Sequence, residues 1–310
     1  MEFFHKQTNF PFMATRKVWY GLSAVAMVLC FVSFWVKGLN LALDFTGGVS
    51  VEVAFSSAVD AEKVRAAMAT AGFKDPQVQT VGSSREVAIR LQPVNQTGDV
   101  IRERLSKALT PLDPNVKIQP PDVVGAQVGE ELKYSAIYAL GFTLLGIFIY
   151  LALRFHTWRL SLGAIFAVLH DPILVLGIFS ITQTPFDLAV VAAVLAVIGY
   201  SLNDTVVVFD RIRERFEKSR RLAPALALDQ AINQTLSRTI MTKVVTSIVV
   251  VALLFLGGPV LRGFSEALLI GIIAGTYSSI WISSAVALDL GLTAEHVFPS
   301  EKKSPVDHLP

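Results

Sequence analysis

Residues 199–211 read GYSLNDTVVVFDR, and this stretch places a charged side chain inside an apolar segment. It closes an apolar run that begins near residue 188, and it holds Asp204 directly after Asn203. A carboxylate at membrane depth costs at least about 2.5–3.5 kcal/mol on insertion scales. Asp204 therefore needs a counter-charge, a proton or water, which makes it the first candidate functional residue.

The composition around this stretch is that of a helical membrane protein. Of the 310 residues, 53% are hydrophobic and 17% are charged, and the mean hydropathy is +0.54. A helix needs about 20 apolar residues to cross about 30 Å of hydrocarbon. Six runs approach that length, and we predict six transmembrane helices at 18–36, 136–153, 160–181, 188–209, 240–256 and 264–290.

A water-soluble domain is expected between the first two spans. Period-two patterns predict strands at 49–55, 76–82 and 85–92, with a last strand within 115–125. Amphipathic patterns predict helices at 60–72 and 97–109, the first with Asp60 as its N-cap. The order βαββαβ is typical of a ferredoxin-like domain. Its charges are nearly balanced, so we expect no binding of nucleic acid.

The distribution of basic residues predicts the orientation. Six arginines and lysines lie between residues 211 and 221, after span four, and others follow spans two and six. Because cytoplasmic loops carry the excess of Lys and Arg, both termini are predicted to be cytoplasmic. The predicted order is then an N-terminus at 1–17, span one at 18–37, an external domain at 38–133, a bundle at 134–292 with a cytoplasmic hairpin at 210–237, and a tail at 293–310.

Two cations in span five lie at a depth that Asp204 can reach. Arg238 and Lys243 are within one or two helical turns of Asp204 in depth if spans four and five pack together. One interpretation is a static salt bridge that only fixes the bundle. The other is that Asp204 takes up and releases a proton. Burial disfavours the charged form of a carboxylate and a nearby cation favours it, so movement of the cation could drive proton exchange. The sequence leaves open which cation Asp204 contacts.

Span three carries a second polar pair, His170 and Asp171, close to the midplane. It could be another station for protons, or it could hydrogen-bond to the neighbouring backbone. In span six, Gly271 and Gly275 begin a stripe of small residues at intervals of four. Such a stripe predicts close helix packing, within the chain or with a partner.

Several kinds of chemistry have no signal here. The single cysteine, Cys30, lies in the first span, so neither a disulfide within the chain nor a cysteine-based metal site is expected. There is no Walker A loop, no G-x-S-x-G elbow and no H-E-x-x-H motif. We therefore expect a protein that is not an enzyme and has no cofactor, and whose energy comes from an ion gradient.

Six long stretches are similar to one family. They are LNLALDFTGGVSVEV (39–53), VGAQVGEEL (124–132), HDP (170–172), IGYSLNDTVVVFDRIRE (198–214), TLSRTIMT (235–242) and GGPVLRGFSEALLIGIIAGTYSSI (257–280). On these motifs the chain resembles the SecD/SecF family of bacterial protein-export proteins, a branch of the resistance-nodulation-division superfamily. The resemblance covers almost the whole chain.

The resemblance implies a function and a set of partners. It implies a subunit of the inner membrane that pairs with SecD, associates with the SecYEG channel and YajC, and uses the proton motive force to draw preproteins outward. It also implies that Asp204 and Arg238 belong to the proton pathway. Our hypothesis adds Asn203 as a positioning donor and Lys243 as a second cation. Lys243 departs from the family pattern, where a small residue is usual, and so does Glu266, which at four residues' spacing can pair with Arg262.

Two other functions are compatible with the same residues. The wider superfamily includes drug exporters, so half of a proton-coupled exporter of small solutes is one alternative. A single small external domain leaves little room for the pocket that such an exporter needs. The other alternative is a passive scaffold, in which the charges only fix packing within the membrane lipid.

Overall fold

Six helices among the residues that the structure describes are long and apolar enough to cross a membrane. The computed structural model describes residues 8–73, 76–81, 83–92, 96–155 and 157–298, so residues 1–7 of the expected N-terminus and residues 299–310 of the expected tail lie outside it. Spans one to five are α1 (Arg16–Val36), α5 (Ala126–Arg154), α6 (Trp158–Thr182), α7 (Leu188–Lys218) and α8 (Pro224–Leu256), and span six is α9 (Gly258–Tyr277) continued by α10 (Ser283–Asp289). The prediction of a six-span helical membrane protein is confirmed.

Spans four and five extend beyond the predicted membrane segments. Helix α7 has 31 residues and α8 has 33, which correspond to about 46 and 50 Å at 1.5 Å per residue. The hydrocarbon is about 30 Å thick, so the last turns of α7 and the first turns of α8 project from it. Pro224 is the first residue of α8, where its missing amide proton costs nothing.

Span six contains an irregular segment. Between α9 and α10, residues Ser278–Ile282 form a π-helix, in which each turn is wider than in an α-helix. Such segments occur mostly as single turns and frequently at functional sites. The segment lies against spans one, three and four, in the interior of the bundle.

The inserted domain has the predicted ferredoxin-like plan. Its elements are a short helix α2 (Leu43–Thr46), then β1 (Gly48–Ala54), α3 (Ala61–Thr70), β2 (Gln77–Thr80), β3 (Glu86–Leu91), α4 (Gly98–Leu109), β4 (Lys117–Ile118) and β5 (Asp122–Val124). All pairings are antiparallel, the sheet order is β2-β3-β1-β4, and β5 also pairs with β1. The expected last strand is thus divided into β4 and β5.

One face of this sheet is covered and the other is open. Alternate residues of β1 and β3, among them Val51 and Ile89, pack against α3 and α4 in the domain core. Helix α3 begins at the predicted cap, because the side chain of Asp60 accepts the amide proton of Glu62 at 3.0 Å. The opposite face of the sheet carries polar side chains and lines a cleft toward the bundle.

The basic ends of the spans lie together. Arg16, at the start of α1, pairs with Asp289 at the end of span six at 3.0 Å. Arg154, at the end of α5, pairs with Asp210 of α7 at 2.5 Å. The chain is therefore a multi-pass membrane protein whose basic residues gather at one end of the bundle, with the inserted domain at the other.

Candidate functional site

Spans four and five bring Asp204 together with Lys243. The Nζ atom of Lys243 lies 2.7 Å from Oδ2 of Asp204, and both side chains are buried, with 6% and 7% of their surface exposed. Neither atom has another hydrogen-bond partner among the described residues. The carboxylate of the opening stretch thus meets one ammonium group in an otherwise unsatisfied ion pair.

Tyr200 completes the surroundings of the ammonium group. Its ring lies one turn before Asp204 on α7, with the centroid 3.8 Å from Nζ of Lys243, close enough for a cation–π contact. Its hydroxyl group donates to the carbonyl oxygen of Thr242 at 3.0 Å and lies 2.9 Å from the hydroxyl of Thr246. Tyr200 therefore ties α7 to the part of α8 that carries Lys243.

Arg238 lies on a different face of α8. Five residues of an α-helix turn by about 140° relative to each other, and Arg238 is exposed whereas Lys243 is buried. Thr235 and Thr239, which precede Lys243 at intervals of four, are buried on its face. Arg238 attracts the carboxylate of Asp204 electrostatically at longer range, and it makes no ion pair within the described chain. Of the two cations that the sequence left open, Lys243 is the one in contact.

Asn203 is not positioned as a donor to Asp204. It is exposed on the outer face of α7, and the described residues offer it no hydrogen bond. Consecutive residues of a helix point in directions about 100° apart, so the neighbour of a buried residue faces away from the site. The expected positioning role of Asn203 within this chain is therefore not seen in the structure.

His170 and Asp171 form a second buried cluster. Asp171 is fully buried, its Oδ1 atom lies 3.1 Å from Nδ1 of His170, and its Oδ2 atom accepts from the hydroxyl of Ser278 at 2.8 Å. The hydroxyl of Ser201 also donates to Oδ2. These contacts come from α6, α7 and the π-helical segment, so the pair bonds to side chains of neighbouring spans.

The two clusters are linked electrostatically. The carboxylate of Asp171 attracts the ammonium group of Lys243 electrostatically, although the two side chains do not form an ion pair. Ser201 hydrogen-bonds to Asp171 and lies three residues before Asp204 on α7, on adjacent turns of the same helix. The Nε2 atom of His170 is buried without a hydrogen-bond partner in the described part of the chain. The bundle therefore holds two carboxylates, one ammonium group and one imidazole in close succession.

The glycines of span six allow the approach of α7. A side chain at Gly271 would overlap Val197, and a Cβ atom at Gly275 would lie 3.0 Å from Ser201 and 3.3 Å from Oδ2 of Asp171. Both positions are therefore filled by the neighbouring helix and by the Asp171 cluster. The stripe of small residues serves a contact within this chain at these two positions.

A groove opens beside the ion pair. Its volume is about 560 Å³, and it lies between α8 and span six with Lys243, Tyr277 and Trp281 among its lining residues. Half of its lining residues are aliphatic, among them Val244 and Ile273. The surroundings of Lys243 besides Asp204 are therefore this groove, the ring of Tyr200 and, at longer range, Asp171.

Sequence reasoning missed Tyr200, Ser201 and Ser278. A helical period of four relates Tyr200 to Asp204 on α7, and this signal is present in the sequence. The serines carry no comparable signal, because their role depends on the rotation of spans four and six about their axes.

These features define a class: a multi-pass membrane protein with an inserted ferredoxin-like domain and a buried charge pair between spans four and five. Residues 104–293 match the family described as "Protein export membrane protein SecD/SecF, C-terminal", and residues 32–59 match the "SecD/SecF GG Motif". The chain belongs to the SecD/SecF family of protein-export membrane proteins.

Individual relatives agree with this assignment. The chain is 46% identical to "Protein translocase subunit SecF" of Haemophilus influenzae over 299 residues, which are 96% of this chain and 91% of that protein. It is 42% identical to the protein of the same name from Pseudomonas aeruginosa over 300 residues, 96% of this chain and 97% of the relative.

A solved structure is also similar. The chain superimposes with a TM-score of 0.83 and 36% identity on SecDF, described as a translocon-associated membrane protein, from Thermus thermophilus. The match covers 91% of this chain but 39% of the SecDF chain. The protein thus corresponds to a part of that longer polypeptide.

Proposed function

We propose that this chain is a non-enzymatic, proton-coupled subunit of the protein-export machinery, in which Asp204 is the proton acceptor. The observation that carries the proposal is the buried ion pair of Asp204 and Lys243, whose contacting atoms have no other hydrogen-bond partner among the described residues. Breaking a buried pair by removing one charge is costly, so a proton on Asp204 must change how α7 and α8 pack. The names of the relatives support a role in protein translocation.

The first step is protonation of Oδ2 of Asp204. It removes the negative charge and leaves Lys243 as an uncompensated buried cation. The ring of Tyr200 and the carboxylate of Asp171 are the alternative partners on the side of α8 where Lys243 lies. Lys243 then moves away from Asp204, and α8, which carries it, shifts against α7.

In the second step Asp204 releases the proton. Arg238 lies about 8 Å nearer the basic end of α8 than Lys243 at 1.5 Å per residue, and it acts on Asp204 at longer range. In the shifted arrangement Arg238 stabilises the ionised carboxylate and favours proton release on the basic side. The two cations thus serve successive states of the same carboxylate.

Asp171 and His170 bind the proton before Asp204 does. They lie nearer the end of the bundle that bears the inserted domain, and the hydroxyl groups of Ser201 and Ser278 hold Oδ2 of Asp171. His170 has one free ring nitrogen, Nε2, that can accept or donate a proton. A proton moving down its gradient passes from this pair to Asp204.

The outer face of α7 is suited to a partner helix. Ala192, Ala196, Gly199 and Asn203 are exposed there at intervals of three or four, and no atom of this chain lies near a side chain added at Gly199. Small residues with one polar side chain favour close helix association in membranes. We assign this face to SecD, with the SecYEG channel, YajC and the preprotein as the further partners of the complex.

The location follows from the charges. The basic end of the bundle is assigned to the cytoplasm by the positive-inside rule, and the inserted domain to the opposite side of the bacterial inner membrane. In this orientation the domain meets polypeptide that has already crossed, and the membrane lipid surrounds the six spans.

Replacement of Asp204 by Asn tests the proposal. Membrane vesicles that contain the full complex are energised with a proton gradient, and both proton uptake and completion of preprotein translocation are measured. We expect the gradient-dependent part of translocation to fall at least about 100-fold, the loss that a proton-transfer group typically causes. Asp210→Asn on the same helix is the matched control and should retain both activities.

Two outcomes would contradict the proposal. Unchanged gradient-driven translocation in Asp204→Asn would exclude a proton-carrying role for this residue. Full activity of the exchanged variant, Asp204→Lys with Lys243→Asp, would instead favour the passive scaffold.

A further inference from the structure

The segment that leads from span one into the domain is bound to the loop between spans three and four. The amide of Ala42 donates to the carbonyl oxygen of Phe186 at 2.8 Å, and the amide of Phe186 donates to that of Asn40 at 2.8 Å. The rings of Phe45 and Phe186 stack with centroids 5.8 Å apart. These contacts, which we call the joint, hold the base of the domain to the start of α7.

Asp44 continues the joint to the first turn of α7. Its Oδ2 atom accepts the amide proton of Leu188 at 2.9 Å, while Asp187 accepts the amide proton of Val190 at 2.8 Å. Amide protons at a helix start have no partner within the helix, so carboxylates that accept them fix its end. The helix that carries Asp204 is therefore held at its start by a residue of the domain's entry segment.

The entry segment cannot move independently of the sheet. Gly47 and Gly48 have φ values of 65° and 121°, and a Cβ atom at Gly47 would lie 2.8 Å from Cα of Ala126. A Cβ atom at Gly129 of α5 would lie 2.9 Å from the amide nitrogen of Gly47. Both chain connections of the domain thus pack directly on each other. A displacement of Asp44 must be transmitted to β1.

Arg90 faces the same joint from the sheet. It lies on β3 opposite Ser50 of β1, on the open face, and lines a cleft of about 660 Å³ together with Asp44 and Asp187. Its Nη1 atom is buried and lacks a hydrogen-bond partner among the described residues. Both carboxylates attract Arg90, but neither forms an ion pair with it in the described chain. A guanidinium left in this state gains hydrogen bonds as soon as the cleft narrows.

We propose that Asp44 and Arg90 are coupling residues, which transmit the movement of span four to the inserted domain by closing this cleft. The inference rests on the proposed function, because the movement originates at Asp204. Leu188 and Asp204 are joined by about 24 Å of continuous helix without proline, so a shift or tilt at Asp204 reaches the Asp44 contact. Arg90 then engages Asp44 and Asp187, and the sheet tilts toward the bundle.

The experiment separates coupling from proton transfer. Proton uptake and gradient-driven translocation are measured in vesicles with the full complex carrying Arg90→Gln or Asp44→Asn. Asparagine still accepts the amide proton of Leu188, so it removes the charge and keeps the helix cap. We expect gradient-driven translocation to fall at least about fivefold, as for loss of a typical coupling free energy, with proton uptake retained. Arg102→Gln, on the exposed face of α4, is the matched control.

Further variants exclude a merely structural effect. The double variant Arg90→Gln with Asp44→Asn should be no more impaired than either single variant, because both act on one contact. Arg90→Lys keeps the charge and should recover part of the activity. Strictly additive losses, or no recovery with lysine, would overturn the coupling role.

A cross-link reports the cleft itself. Cysteines are introduced at Gln79 on the sheet and Val260 on the bundle, both of which line the cleft, in a chain with Cys30→Ala. We expect a proton gradient to change the cross-linking rate at least about threefold, and this dependence to disappear in Arg90→Gln.

The results also separate the two proposals. If Asp204→Asn leaves translocation and proton uptake intact, the proposed function fails whatever Arg90 does. If Asp204→Asn abolishes both while Arg90→Gln retains gradient-driven translocation and a gradient-dependent cross-link, only the coupling inference fails.

Discussion

The ion pair of Asp204 and Lys243 predicts a large energetic coupling between spans four and five. We consider the two single variants Asp204→Asn and Lys243→Met and the double variant that carries both. Each single change leaves one charge in a site where 6% or 7% of the side chain is exposed. The double change removes both charges and keeps side chains of similar size.

The expected magnitude follows from the burial of the pair. Removal of one partner from a buried salt bridge costs about 3–5 kcal/mol, because the remaining charge is uncompensated. Replacement of a whole buried pair by uncharged groups is often neutral or stabilising. The losses in the free energy of unfolding of the two single variants, added together, should therefore exceed the loss of the double variant by about 3 kcal/mol or more. The cation–π contact with Tyr200 adds about 1–2 kcal/mol to the loss caused by Lys243→Met alone.

A double-mutant cycle on the purified complex in detergent measures this coupling from the free energies of unfolding. The pair of Arg154 and Asp210 joins spans two and four at the basic end and is 31% and 43% exposed, which makes it the matched control. Its coupling should be about 0–1 kcal/mol, as for other exposed pairs. Additive losses for Asp204 and Lys243, within about 0.5 kcal/mol, would refute the reasoning that the two charges depend on each other.

Two further predictions concern packing and pH. Gly275→Val should destabilise the bundle by about 1–3 kcal/mol, because its side chain would press on Ser201 and Asp171, whereas Gly141→Val on α5 has free space within this chain and should cost less; thermal unfolding compares them. Hydrogen bonds from the amide and hydroxyl of Ser56 lower the pKa of Asp113, so this carboxylate stabilises the domain above its unfolded pKa of about 3.9, and the stabilisation is lost as the pH falls through the lower folded value. Asp113→Ala should therefore lower the melting temperature at pH 7, and this effect should become smaller as the pH falls through the acid range.

The architecture could be predicted because it depends on local patterns. Hydropathy and the change of period from 3.6 to 2 define the six spans and the βαββαβ domain, which the structure confirms. Helices α7 and α8 contain the apolar runs predicted for spans four and five and continue into the polar stretch 210–237, which was expected to be a cytoplasmic hairpin. The π-helical segment Ser278–Ile282 was not predicted, because its residues are ordinary for a membrane helix.

The site could be predicted only in part, for a geometric reason. Depth along a helix follows from residue number, so Asp204, Arg238 and Lys243 were expected at neighbouring depths. Which side chains meet depends on the rotation of each helix, and Arg238 and Lys243 differ by about 140°. The buried threonines at 235 and 239 precede Lys243 at intervals of four, and this pattern would have favoured Lys243 over Arg238.

Contacts between distant parts of the chain could not be predicted from local sequence patterns. Asp44 and Leu188 are 144 positions apart, and no period relates them. Asp44 lies in the stretch LNLALDFTGGVSVEV, whose resemblance to the family was evident without any physical reason for its residues. The structure supplies one, since the aspartate binds the start of span four and the two glycines allow the chain to pass α5 into the sheet.

The position of Lys243 has a consequence for the two ends of span four. Lys243 is in direct contact with Asp204, so a proton that binds Asp204 would leave the buried ammonium group without its counter-charge. The same helix is held at its other end by Asp44, which depends on the inserted domain. Because α7 is continuous between these points, the proposed coupling predicts that a load on the domain alters the geometry of the ion pair, and that protonation of Asp204 alters the domain. The charge pair and the inserted sheet are joined by one continuous helix, so we expect a change at one to reach the other.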